Sequence, residues 1–150
     1  MKAETSCVRR LARWRGALER GGPGYGRTVK PIIEITMDCA DAMQQSEFWA
    51  AALGYEVLNA EPGVAYLQDP DRVGPFLCLL EVPEPKMAKN RMHFDLNTPG
   101  DEGADVMWKR VQDEVARLVG LGATVRAEHP PTFVGMSDPE GNEFDVTYQT

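Results

Sequence analysis

Leu53-Gly54-Tyr55-Glu56-Val57 returns as Leu121-Gly122-Ala123-Thr124-Val125, 68 residues further along the chain. Asp69-Pro70-Asp71, shortly after the first stretch, returns as Asp138-Pro139-Glu140-Gly141 after the second, at an offset of 69. A helix end, a strand and a proline turn thus recur in order at nearly one spacing. That pattern reads as one small unit used twice. Two such units face each other around a cleft, and a cleft is where a ligand sits.

Outward from these anchors, each unit reads as β-α-β-β-β. In the first, Ile33, Ile35 and Met37 alternate with Glu34, Thr36 and Asp38, the period of a strand with one buried face. Asp41 suits the N-cap of a helix that runs to Leu53 and buries Phe48, Trp49, Ala52 and Leu53. Gly54 suits its C-terminal stop. Strands are expected near 55–59, 63–68 and 75–82. In the second unit Arg91–Leu96 alternates, with His93, Asp95 and Asn97 on one face. A helix from about Asp101 to Val119 buries Met107, Val111, Val115, Leu118 and Val119, and strands follow near 123–127, 132–137 and 143–149. The fold class is therefore α+β. Two βαβββ modules, about 31–82 and 90–149, form paired curved mixed sheets around a cleft, joined by the proline-rich stretch 82–89.

The domain spans 30–150, and residues 1–29 read as a flexible basic extension. Residues 1–30 carry a net charge of +6 and the remainder −13. Leu11, Trp14 and Leu18 make a short apolar stripe there, and Gly21–Gly26 breaks it as a linker does. An appendage without a role, a start placed too early and a docking helix for a partner or anionic surface all stay open. An acidic body argues against nucleic acid as a partner. No apolar run approaches the ~20 residues of a membrane span. Cys7, Cys39 and Cys78 lack metal spacing, and no secretory leader is visible, so reduced thiols in the cytoplasm are expected.

Polar residues placed on strands carry the functional reading. Glu34 lies in the first strand of unit one, His93 at the matching place in unit two, and Asp145 in the last strand. Two carboxylates and an imidazole converging on a cleft repel and desolvate one another unless something offsets them. A divalent cation does so, and such N/O donors suit Zn, Ni, Mn or Fe(II). Plainer roles stay open: Glu34 paired with Arg91 or Arg126, His93 hydrogen-bonded in the cleft, Asp145 facing water. Thr36, Asp38, Tyr66, Gln68, Cys78, Asp95 and Thr147 are further cleft-lining candidates for contact with a ligand. Trp108 is expected to be half exposed.

Residues 31–150 resemble the vicinal oxygen chelate superfamily, the glyoxalase/bleomycin-resistance/dioxygenase fold. The chain looks closest to the small glyoxalase-like domain proteins common in actinobacteria. The resemblance rests on Met37-Asp38-Cys39-Ala40-Asp41, Phe48–Tyr55, Val82–Lys86, Lys89–Leu96, Leu121-Gly122-Ala123 and Asp138–Phe144. It implies metal ligands on the first and last strands of both units: Glu34, His93, Asp145, and a fourth position at Leu80 or, one register over, Glu81. Leucine cannot ligate, and Asp145 stands where glutamate is customary. With only His93 and His129 available, and His129 in the loop before Pro130-Pro131, a two-histidine extradiol dioxygenase is disfavoured.

What the resemblance implies for function is binding of a small oxygen-bearing molecule. In the metal-assisted isomerase or lyase form, the cation stabilises an enolate. Glu34 and Asp145 are then the catalytic carboxylates, with Asp38 or Asp95 available as a base. The alternatives are a non-catalytic sequestering protein of the bleomycin-resistance type and an interaction protein that docks through residues 1–29. A homodimer is expected from the superfamily.

Overall fold

A computed structural model describes residues 32–148. The expectations for residues 1–29, the helix and linker among them, fall outside the described residues.

The element order is β1 (Glu34–Cys39), α1 (Ala42–Leu53), β2 (Glu56–Glu61), β3 (Val64–Gln68) and β4 (Phe76–Glu81). It continues β5 (Asp95–Thr98), α2 (Ala104–Gly120), β6 (Thr124–His129), β7 (Phe133–Ser137) and β8 (Glu143–Tyr148). Each module is a four-stranded sheet, ordered β1-β4-β3-β2 and β5-β8-β7-β6. The first strand of each lies parallel to the last, and the other pairs are antiparallel. The βαβββ repeat read from the sequence is the architecture of the chain.

Local chemistry sets the ends of α1. The Asp41 carboxylate accepts from the backbone N–H of Met43 and Gln44, satisfying donors a helix leaves open at its start. Gly54 closes the helix at φ 70°, a left-handed conformation that costs a side-chain-bearing residue energy. The buried face of α1 also takes in Ala42, Gln45 and Ser46, while Leu53 is only half-buried. In α2, Met107, Val111 and Leu118 are buried and Val115 packs against the core. Val119, expected inside, is 46% exposed: it lies a full 100° around the helix from Leu118 and off the 107–111–115–118 stripe. Trp108 is half-buried, as expected.

Two further boundaries differ from expectation. β5 begins at Asp95, so residues 91–94 are not in the strand. Side chains hold that segment in place of a full ladder. Asn90 N–H donates to the Glu143 carboxylate, Phe94 C=O accepts from Asp145 N–H, and the Phe94 ring packs edge-on against Trp49. His129 closes β6 instead of lying in the following loop, and its ring stacks on Phe133 at 4.3 Å.

The modules share one core. Trp49, 1% exposed, sits edge-on to Phe48, Phe94 and Phe144 at 5.1–5.4 Å between ring centroids. Its indole N–H donates to the Asp138 carboxylate at 3.2 Å. Asp138 is itself buried and also accepts from Glu140 N–H, Asn142 N–H and the Asn142 amide. Module two also grips both ends of α1. The Glu140 carboxylate accepts from Ala40 and Asp41 N–H at 2.7 and 2.8 Å, and Arg117 donates to the carbonyls of Ala51 and Ala52. An anion at the start and a cation at the end both match the helix dipole.

Cys39 ends β1 inside this junction. Burial pushes its thiol up from 9.0 to about 12, helped by the nearby carboxylates of Glu140, Glu81, Asp41 and Asp38. A raised pKa favours the protonated thiol in the fold. Its contribution is complete below pH 9 and is lost as pH climbs toward 12. Denaturant unfolding across that range is expected to weaken more steeply for the wild type than for Cys39→Ala.

Candidate functional site

The paired strands turn one face of each sheet to the helices and leave the other open. On β1, Ile35, Met37 and Cys39 pack inward and Glu34, Thr36 and Asp38 point away and are exposed. The register continues that open face across Cys78 and Leu80 of β4 and Tyr66 of β3. Leu80 stands opposite Asp38. Glu81 is on the helix side, where its carboxylate accepts from Ala42 N–H. Tyr66 is buried, with its ring 5.8 Å from Phe76, and Gln68 ends the same strand half-buried.

On module two, Asp95 of β5 stands directly opposite Asp145 of β8, with Asn97 opposite Thr147 on the next rung. His93, just before β5, brings Nε2 to 3.3 Å from Asp95 Oδ1 and 3.4 Å from Asp145 Oδ2. The three donor atoms lie within 4.8 Å of one another, the one such His/Cys/Asp/Glu group among the described residues. Two ligands bound about 2.1 Å from one cation at ordinary tetrahedral or octahedral angles lie roughly 3.0–3.4 Å apart. The two His93–carboxylate distances match that spacing, so the trio has the donors to hold a divalent cation. All three side chains reach solvent, at 40%, 57% and 27% exposure, so coordination positions remain open to water or substrate.

The neighbouring rung places a glycine beside the Asp145 carboxylate. Gly135 of β7 pairs with Asp145, and a Cβ at that glycine would stand 3.5 Å from Asp145 Oδ1. That distance is ordinary van der Waals contact, so the glycine leaves the floor beside Asp145 low without being required there. Between the modules a cavity of about 250 Å³ is lined by Thr36, Asp38, Asn90, Arg91, His93 and Glu143, with their neighbours.

The structure thus brings His93 and Asp145 together and adds Asp95 as a third donor. Glu34 stays on the open face of the other sheet, outside that group. Arg126, one partner considered for Glu34, instead pairs with Glu143 at 2.7 Å. Sequence reasoning placed Asp95 on the right face but could not see the parallel register that sets it against Asp145. It missed Gly135, although an isolated glycine in Phe133–Ser137 was a usable signal. It also missed the Lys86–Glu143–Arg126 cluster. Burial works against ionisation of Glu143, yet the Lys86 ammonium and Asn90 N–H overcome it and hold the carboxyl down at about 2.

The family described as "Glyoxalase-like domain" matches residues 34–147. The fosfomycin resistance protein FosX of Listeria monocytogenes is 14% identical, covering 82% of this chain and 94% of its own, with a TM-score of 0.61. A variant of that protein is complexed with Mn(II) and 1S,2S-dihydroxypropylphosphonic acid. A glyoxalase-related enzyme from Fulvimarina pelagi is 17% identical over 81% of this chain and 89% of its own, TM-score 0.59. A glyoxalase/bleomycin resistance protein/dioxygenase family enzyme from Burkholderia phytofirmans PsJN is 16% identical over 77% and 95%, TM-score 0.56. At these identities the likeness is one of fold. No curated protein matches the chain. No described helix is long and apolar enough to cross a membrane. On its sequence match and its paired βαβββ modules, the chain belongs to the glyoxalase-like domain family of the vicinal oxygen chelate superfamily.

Proposed function

We propose that this protein holds a divalent cation with His93, Asp95 and Asp145 and binds a small oxygen-bearing organic molecule beside it, as a metal-assisted isomerase or lyase. The observation that carries the reading is the convergence of one imidazole and two carboxylates on the open face of the second sheet. When bound, the cation polarises the substrate's oxygens and stabilises charge that develops on them. Thr36 and Asp38, which line the cavity with His93, orient the substrate, and Cys78 and Tyr66, in register with Thr36, and Gln68 further along β3 are further candidate contacts. Asp145 is the carboxylate that exchanges its proton, and Glu34, which lies outside the donor group and outside the cavity lining, is the weaker candidate for that role. Zn, Ni, Mn and Fe(II) are the cations to test. The reading includes a homodimer, to be checked by light scattering. The buried cysteines Cys39 and Cys78 fit a reducing, cytoplasmic setting.

Leu80 favours a second reading. It occupies the open face opposite Asp38, and no cation can bind to it. A protein of this family that only sequesters its ligand needs a shaped cleft and no full ligand set. Chelator-treated protein, melted against each metal, separates the readings. Native-state binding at ~100-fold excess over Kd adds about 2.7 kcal/mol, a rise of roughly 5–10 °C for a domain this size. The expected result is such a rise for one metal and its loss in His93→Ala. No rise with any metal would leave the sequestering reading standing alone.

A further inference from the structure

The face that carries His93, Asp95 and Asp145 also holds a cation that the fold does not use up. A bulge in β6 shifts the register between Val125 and Ala127, so Arg126 is an extra residue against β7. Bulges re-aim side chains in this way. Arg126 reaches over the open face, and its Nη1 donates to Glu143 Oε1 at 2.7 Å and Ser137 Oγ at 3.5 Å. Its Nε and Nη2 have no partner among the described residues, and the side chain is 49% exposed. Glu143 is already paired with Lys86 at 2.8 Å. Two cations on one carboxylate leave this corner with a surplus positive charge on an otherwise acidic face.

We infer that the ligand of this site is a short carboxylic acid, its carboxylate seated on the Nε–Nη2 edge of Arg126 and its other oxygens at His93, Asp95 and Asp145. This rests on the functional reading above and names its substrate class. The edge of a guanidinium presents two parallel donors that match a carboxylate's two oxygens. Glu143, which anchors Arg126 through Nη1, and Asp145 are two residues apart on one strand and face the same way, so the guanidinium's anchor and the metal group stand on neighbouring rungs about 6.6–6.8 Å apart along the strand. That gap suits an acid of four or five carbons. The floor between is bare: Gly135 lies opposite Asp145, and Ala127 lies opposite Gly135.

The test uses the full chain loaded with Mn(II) and two probes of equal length, 2-oxoglutarate and 2-oxopentanoate, which differ in the distal carboxylate. Wild type is expected to bind the diacid at least about ten-fold more tightly, as a bidentate charged pair supports. Arg126→Gln should erase that preference while leaving Mn(II) affinity, read by electron paramagnetic resonance, unchanged. Arg126→Lys keeps the ion pair with Glu143, guards against misfolding, and should still lose most of the preference. Equal binding of the probes by wild type, or a preference that survives in Arg126→Gln, overturns the inference and leaves the metal reading intact. The same titrations on chelator-treated protein separate the two claims. If Mn(II) does not bind, the functional reading falls. A diacid preference that disappears in Arg126→Gln would then still establish the carboxylate seat, and its absence would remove that too.

Discussion

Asp138→Ala is expected to destabilise the protein by about 3–5 kcal/mol, lowering its melting temperature by roughly 10 °C. Four donors converge on this one carboxylate: Trp49 Nε1–H, Glu140 N–H, Asn142 N–H and the Asn142 amide. The residue is 2% exposed, so water does not replace what the mutation removes. Hydrogen bonds to a charged group are worth about 1.5–3 kcal/mol each, and donors left buried without a partner add their desolvation cost. Asp138→Asn keeps the volume and one acceptor oxygen and should cost about half as much. Urea unfolding of both variants measures the difference. A cost below about 1 kcal/mol for Asp138→Ala would show that the turn reorganises around other acceptors.

Trp49→Ala removes the largest fully buried side chain among the described residues and is expected to cost about 3–5 kcal/mol. The indole touches Phe48 of its own helix and Phe94 and Phe144 of the other module, so the cavity opens at the junction. Because Phe94 follows His93, the loss should reach the cation site. Metal affinity in the surviving folded fraction should fall as well, while Trp49→Phe, which keeps most of the volume, should retain it. The two variants differ by bulk, and Trp49→Phe beside Asp138→Asn isolates the hydrogen bond by a double-mutant cycle.

Much of this fold is legible in the sequence because its signals are local. Alternation of Ile33, Ile35 and Met37 against Glu34, Thr36 and Asp38 gives a strand, Asp41 and Gly54 bracket a helix, and the repeat supplies the rest. Pairing register is not local. Asp95 meets Asp145 only because β5 and β8 run parallel in one alignment, and neither strand's own pattern states it. Side chains that substitute for a strand's ladder are hidden for the same reason, which is why 91–94 reads as strand and is not. Asp138 was recognisable as a turn residue, since aspartate before proline is a turn signal. Its reach to Trp49, 89 positions away, was not.

The two modules differ where they look most alike. Asp69 spends its carboxylate within its own loop, on the N–H groups of Asp71, Val73 and Gly74, which draw its pKa below the usual carboxylate range. Asp138 gives one of its four hydrogen bonds to the other module's tryptophan. Two copies of the first half would therefore lack the latch, and two copies of the second would lack the partner it fastens. The repeat has become a lock and a key. Neither half can be exchanged for its twin, and a chain cut between them should reassemble only as the unlike pair.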